Sequence, residues 1–199
     1  YPTTIRPALH CIGMKDGLKI VSGLYIVFAK QDVYFFADTT VNVNPTAEQL
    51  AEIAISAADT VKEFDVIPKI AMLSFSNFGS APYPESIKVK QATDLVKKLR
   101  PELMIDGEMQ ADTAVMPEII ETEFPFSTLK GRPNVLIFPD LNSGNIAYKL
   151  MARIGQASVV GPILMGMKKP IHVLQRGATV DDIINMTAIA VAEAQAKKK

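Results

Sequence analysis

The segments KIAMLSF (69–75) and NVLIFPD (134–140) are apolar at nearly every position and lack the polar alternation of a strand with one wet face. Strands of this kind are buried on both sides, which requires helices above and below a largely parallel sheet. The rest of the chain supplies the parts. LKIVSGLYIVFA (18–29), VYFFAD (33–38), LMIDGEM (103–109) and IHVL (171–174) read as further strands. Helical patterns fall between them at 46–64, 86–99, 113–121 with a break near Pro117, 143–154 and 181–195. In the first of these, Leu50, Ile53, Ala54, Ala57, Ala58 and Val61 make one apolar stripe, and Thr46 with Gln49 makes a capping-box pattern. The predicted class is α/β, a three-layer sandwich around a mostly parallel sheet.

The 199 residues fit one large domain or two small ones, with no internal repeat or low-complexity linker and a possible boundary near Gly161–Pro162. Basic and acidic residues balance at 21 each, which argues against an electrostatic grip on nucleic acid. The lysines at 197–199 read as a solvated tail. Cys11 is the only cysteine, so no internal disulfide is possible, and a reducing, cytoplasmic compartment is expected. No apolar run reaches the ~18 residues of a membrane span, and no signal peptide is read, so no membrane partner is expected. His10, Cys11 and His172 have no metal-ligand spacing, and no metal site is expected. Nucleophile-elbow, Walker and dinucleotide-binding motifs are absent from the sequence.

In open α/β sheets ligands bind where strands end and loops lead into helices. Four such loops carry the candidate residues. SFSNFGS (74–80) offers hydroxyl and backbone donors from Ser74, Ser76, Gly79 and Ser80 that suit an anion such as phosphate. An ordinary loop with serine turns explains it equally well. In FPDLNSGNIAYKL (138–150), Asn142 or Ser143 caps the next helix, while Asn145 lies beyond the reach of a capping role. GPILMGMKKP (161–170) reads as a loop in which Gly161 and Pro162 allow close backbone approach, or as a bare turn. In HVLQRGATVDDIINM (172–186), Thr179 and Asp182 form a capping-box variant that starts a helix. Arg176, just before that start, can aim its fork at an anion held by the helix terminus.

FPDLNSGNIAYKL, GPILMGMKKPI and RGATVDDIINM, in that order, resemble the C-terminal half of the phosphate acetyltransferase and butyryltransferase family. RPAL (6–9), VSGLYIVF (21–28), FADTTVNVNP (36–45), SFSNFGS and DGEMQAD (106–112) are similar to its other segments, so the resemblance spans essentially the whole chain. SFSNFGS, FPFS (124–127), KKPIHVLQ and AIAVAEAQ resemble most the transferase-like domain at the C-terminus of NADP-dependent malic enzymes.

The resemblance implies the isocitrate-dehydrogenase-like phosphotransacetylase fold: two subdomains, a cleft between them, and homodimers. It implies acetyl transfer between coenzyme A and phosphate, with acetyl-CoA and phosphate or acetyl phosphate as ligands and no tightly bound cofactor. On this likeness Arg176 stabilises phosphate or oxyanion, Asp182 accepts the thiol proton, and Arg6 lies near the phosphate. Residues 12–161 would form the second subdomain, with 1–11 and 162–199 a remnant of the first, whose N-terminal part the chain lacks.

Three positions depart from the family pattern. Gln175 stands where a serine precedes Arg-Gly, and His172-Val173 replaces Asn-Asp. These departures put first a regulatory reading: an acetyl-CoA-binding domain attached to a malic enzyme, with vestigial or no transfer. An active phosphate acetyltransferase and a structural dimerisation domain are the alternatives.

Overall fold

The computed structural model describes residues 2–196. The basic tail at 197–199 lies outside them. The element order is α1 (Pro2–Cys11), β1 (Ser22–Ala29), β2 (Asp32–Ala37), α2 (Ala47–Lys62), β3 (Lys69–Leu73), α3 (Pro84–Leu99), β4 (Met104–Met109), α4 (Ala111–Val115), α5 (Pro117–Glu123), β5 (Val135–Ile137), α6 (Leu141–Arg153), β6 (Ser158–Met165) and α7 (Val180–Ala196).

The strands form one six-stranded sheet in the order β4-β3-β5-β2-β1-β6. The pairs β3/β4, β3/β5 and β2/β5 are parallel, while β1 runs antiparallel to both β2 and β6. Five strands therefore share one direction and β1 alone is reversed. Period-2 alternation sends Phe35 and Ala37 into one core and Tyr34 and Phe36 into the other. The first core packs α2, α3 and α7 on one face, and the second packs α4 to α6 on the opposite face. The α2 stripe of Leu50, Ile53, Ala54, Ala57, Ala58 and Val61 is fully buried, and the Thr46–Gln49 capping box is formed.

Three sequence expectations are corrected. Gly161 and Pro162 are not in a loop but inside β6, which the sequence reading missed. The β1–β6 register shifts between Leu24↔Ile163 and Ile26↔Val160, so a bulge absorbs the residue pair whose proline breaks a regular ladder. IHVL is not a strand: residues 171–174 are irregular, anchored instead by His172. The α6 cap is Asp140, whose Oδ1 accepts the Ser143 N–H at 2.8 Å, rather than Asn142 or Ser143. The helix α1 was also unread; it packs Ile5 and Ala8 against Val21, Leu164 and Met167.

The loop after β2 is folded around Asp38, which is 2 % exposed. Its Oδ1 accepts the N–H groups of Gly23, Thr40 and Val41, and its Oδ2 accepts that of Asn42 and the Asn42 side-chain amide at 2.6 Å. The start of α6 then docks on this loop so closely that a Cβ at Gly144 would stand 2.4 Å from the Asp38 carbonyl oxygen. Asn145 Nδ2 donates to Thr39 O at 3.3 Å, and Lys88 Nζ donates to Pro139 O at 2.9 Å and Asn44 Oδ1 at 3.0 Å. These ties fix where α6 lies on the sheet.

Candidate functional site

A cleft of about 520 Å³ opens where α6, the β1–β6 edge and the start of α7 meet. Tyr25 of β1 and Tyr148 of α6 line it, their rings stacked at 4.2 Å with 17° between planes. Lys149 and Arg153, one turn apart on α6, stand on its rim, and the Lys149 ammonium lies 5.2 Å from the Tyr148 ring centre. Gly161 lines the β6 side; there a Cβ would meet the Tyr25 ring at 2.8 Å, so glycine lets the ring lie flat on the strand.

The last wall is the connection from β6 to α7, with Leu174, Gln175, Gly177, Ala178, Thr179 and Asp182. Gln175 Nε2 donates to Tyr25 Oη at 3.0 Å across 150 residues of sequence. The Gln175 carbonyl accepts the Ala178 N–H at 3.1 Å, making a turn with Arg176 and Gly177 at its two central positions. Arg176 is exposed there, with no hydrogen-bond partner among the described residues. Asp182 closes the capping box: Oδ2 accepts the Thr179 N–H at 2.8 Å and its hydroxyl at 2.9 Å, and the Asp182 N–H donates to Thr179 Oγ1 at 3.2 Å. The Thr179 N–H, and then its hydroxyl, hold the Asp182 carboxyl below its ordinary value. The aspartate is therefore both a helix start and an ionised group on the cleft wall.

The structure thus brings together Gly161, Gln175 and Asp182, with buried Pro162 beside Gly161, while Arg176 stands exposed on the turn between Gln175 and Gly177 and is not part of the lining. It does not bring the other candidates to the same wall. Arg6 is exposed on α1, and Asn145 is held at Thr39 O. Ser74, Ser76, Gly79 and Ser80 surround Glu108 at the ends of β3 and β4. Glu108 is 1 % exposed; its Oε1 accepts Ser76 Oγ at 2.9 Å and the Gly79 N–H at 2.5 Å. Ser80 Oγ lies 3.3 Å from Ser76 Oγ, and Ser74 Oγ accepts the Ser76 N–H at 3.4 Å. Of the donors that the sequence offered to an anion, the Ser76 hydroxyl and the Gly79 N–H are here turned onto a buried carboxylate.

Sequence reasoning missed Glu108, Tyr25 and Tyr148 as individual residues. Each lies inside a quoted motif, but one buried carboxylate or one tyrosine in an apolar run gives no local signal. Among the described residues, no group of three or more His, Cys, Asp or Glu could hold a metal ion. No helix there is long and apolar enough to cross a membrane.

The phosphate acetyl/butaryl transferase profile matches residues 1–191. The chain belongs to that family. It is 45 % identical over 191 residues to a phosphate acetyltransferase of Bacillus subtilis, covering 96 % of this chain and 59 % of that protein. It is also 45 % identical over 195 residues to the phosphate acetyltransferase of Escherichia coli, covering 96 % of this chain and 27 % of that protein. The crystal structure of a phosphotransacetylase from Streptococcus pyogenes superposes with a TM-score of 0.92 at 44 % identity, covering 100 % of this chain and 60 % of the other. The chain therefore spans about three fifths, or less, of the length of these relatives.

Proposed function

We propose that this chain carries the transfer chemistry of a phosphate acetyltransferase, moving an acetyl group between coenzyme A and phosphate. The observation that carries the reading is a cleft with a basic rim, lined by Asp182 and by Gln175 and Gly177, the two residues that flank Arg176 in its turn. Family membership supports it. In the forward step the coenzyme A thiol loses its proton, its sulfur forms a bond to the acetyl carbonyl carbon of acetyl phosphate, and the carbon–oxygen bond to phosphate breaks. The proton leaves with phosphate through the intervening base. Asp182, held ionised, is the acceptor at hand. A thiol has an ordinary pKa of about 8.5, so transfer to so weak a base proceeds together with sulfur attack. The Arg176 fork neutralises charge on the departing phosphate or on the carbonyl oxygen. The ligands are acetyl-CoA and phosphate or acetyl phosphate, with no tightly bound cofactor. A homodimer, and the division into 12–161 and the flanking remnant, complete the reading.

The second reading is a sensor domain, attached to a malic enzyme, that binds acetyl-CoA and has lost transfer. Gln175 in place of a serine, and His172-Val173 in place of Asn-Asp, favour it. The sequence put this reading first; the phosphate acetyltransferase relatives reverse the order. The deciding assay is acetyl transfer from acetyl phosphate to coenzyme A, with acetyl-CoA binding on the same sample, for the protein at its full natural length. Arg176→Ala is expected to lose transfer by about 10²–10³-fold, the loss typical of a single oxyanion donor. Wild-type turnover that Arg176→Ala leaves intact would remove the arginine from the mechanism. Acetyl-CoA binding without wild-type turnover would establish the sensor.

A further inference from the structure

The connection between β6 and α7 is bridged to the segment after α1 only at its outset, where the Lys15 N–H donates to Gly166 O at 2.8 Å and the Lys168 N–H to Gly13 O at 3.1 Å; beyond Lys168 it is held by side chains. In that stretch His172 Nδ1 accepts the Leu164 N–H at 3.2 Å, and His172 Nε2 lies 2.9 Å from Glu193 Oε2. At its end, the Thr179–Asp182 box fixes the entry to α7. Between these two anchors the Gln175–Tyr25 hydrogen bond joins the connection to the sheet. Gln175 is also the first residue of the turn whose next residue is Arg176. Its side chain is tied to β1 while its carbonyl closes the turn, so the direction in which the turn projects Arg176 follows from where the Gln175 amide rests.

We propose that Gln175 and Tyr25 are a positioning pair that holds the turn carrying Arg176 at the edge of the cleft. Neither touches the reacting atoms; both act through the arginine. Tyr25 suits the task because it is 3 % exposed, stacked on Tyr148 and set in the middle of β1, so its hydroxyl is a fixed point. Gln175 suits it because its amide is long enough to reach that point from an exposed loop. The glutamine that departs from the family's serine therefore has a structural task of its own in this chain.

The activity readout rests on the transferase reading above; a binding readout does not. The experiment is a double-mutant cycle of Tyr25→Phe, Gln175→Ala and the pair, in the protein at its full natural length. Each single variant is expected to lower kcat/KM for acetyl phosphate by about 3–10-fold, the effect of one neutral hydrogen bond. KM for coenzyme A and the unfolding temperature are expected to stay near wild type, because the ring stack remains and Gln175 is exposed. The double variant is expected to lose no more than either single one. Should wild type show no turnover, the same cycle is read on inorganic phosphate binding by calorimetry, with the same non-additive weakening expected. Additive losses, or either single variant matching wild type in the readout used, would overturn the proposal.

Discussion

Replacing Gly161 with alanine tests the packing of β6 against the cleft. The backbone at Gly161 has φ +144°, and the added Cβ would lie 2.8 Å from Tyr25 Cδ1 and 2.9 Å from the Leu24 carbonyl oxygen. Favourable contacts between carbon atoms fall near 3.5–4.0 Å, so something must move. Forcing a side chain into that backbone region costs about 1–3 kcal/mol, and overpacking a closed site costs another 1–3 kcal/mol or so. A midway total of about 4 kcal/mol lowers the Tm of a chain this size by roughly 8–16 °C. The carbonyl belongs to the sheet, so Tyr25 is what yields; its stack on Tyr148 and its bond to Gln175 go with it. Gly161→Ala is therefore expected to lose stability in thermal unfolding and to lose acetyl transfer in the residual folded protein. A variant that melts within about 2 °C of wild type and transfers normally would show that β6 can give way here, and that the Tyr25 ring does not depend on a bare backbone beneath it.

Asp106 gives a pH-dependent test. It is 4 % exposed; burial pushes its carboxyl up, but Lys97 Nζ at 2.6 Å, the Thr128 N–H at 2.7 Å and the Ser127 hydroxyl at 2.8 Å together hold it below its ordinary value. A depressed native value means stability present above the unfolded value of about 3.9 and lost as pH falls through the native one. Asp106→Asn turns one accepting oxygen into a donor against donors and is expected to cost about 2–3 kcal/mol at pH 7, with the gap to wild type closing below about pH 4. Urea unfolding at pH 7 and pH 3.5 checks this, and a gap that is absent or widens in acid contradicts it. Asp182→Asn keeps an oxygen for the Thr179 N–H and is expected to melt near wild type while transfer falls about a hundredfold. A large drop in Tm with transfer intact would leave the residue as a helix start alone.

The layered architecture was legible because burial on two faces writes itself into composition. IAML and VLI are apolar throughout, and α2 shows its period in six residues. What escaped was decided by partners distant in sequence. SVVGPILM carries a glycine and a proline that ordinarily end a strand, and only the bulge opposite Tyr25 makes them compatible with one. IHVL has a strand's composition, but its anchor is the His172 ring rather than a ladder. At the site, Asp182 was readable because its capping partner is three residues away. The Gln175–Tyr25 and Ser76–Glu108 bonds join positions 150 and 32 residues apart, which no local pattern records. The serine loop looked like an anion site for the same reason: its carboxylate partner arrives from another strand.

The outer margin of β6 has a consequence for how copies of this protein meet in solution. An edge strand with regularly spaced free amides is a template on which another chain can extend the sheet, the first step of ordered aggregation. Here Pro162 has no amide hydrogen to offer, and two residues on, along the same side of the strand, the Leu164 amide is already given to His172. The bulge twists the ladder just before both. An incoming strand would find consecutive outward positions without a donor, so the margin nearest the cleft is protected from self-association by its backbone chemistry and needs no charged residue to do it.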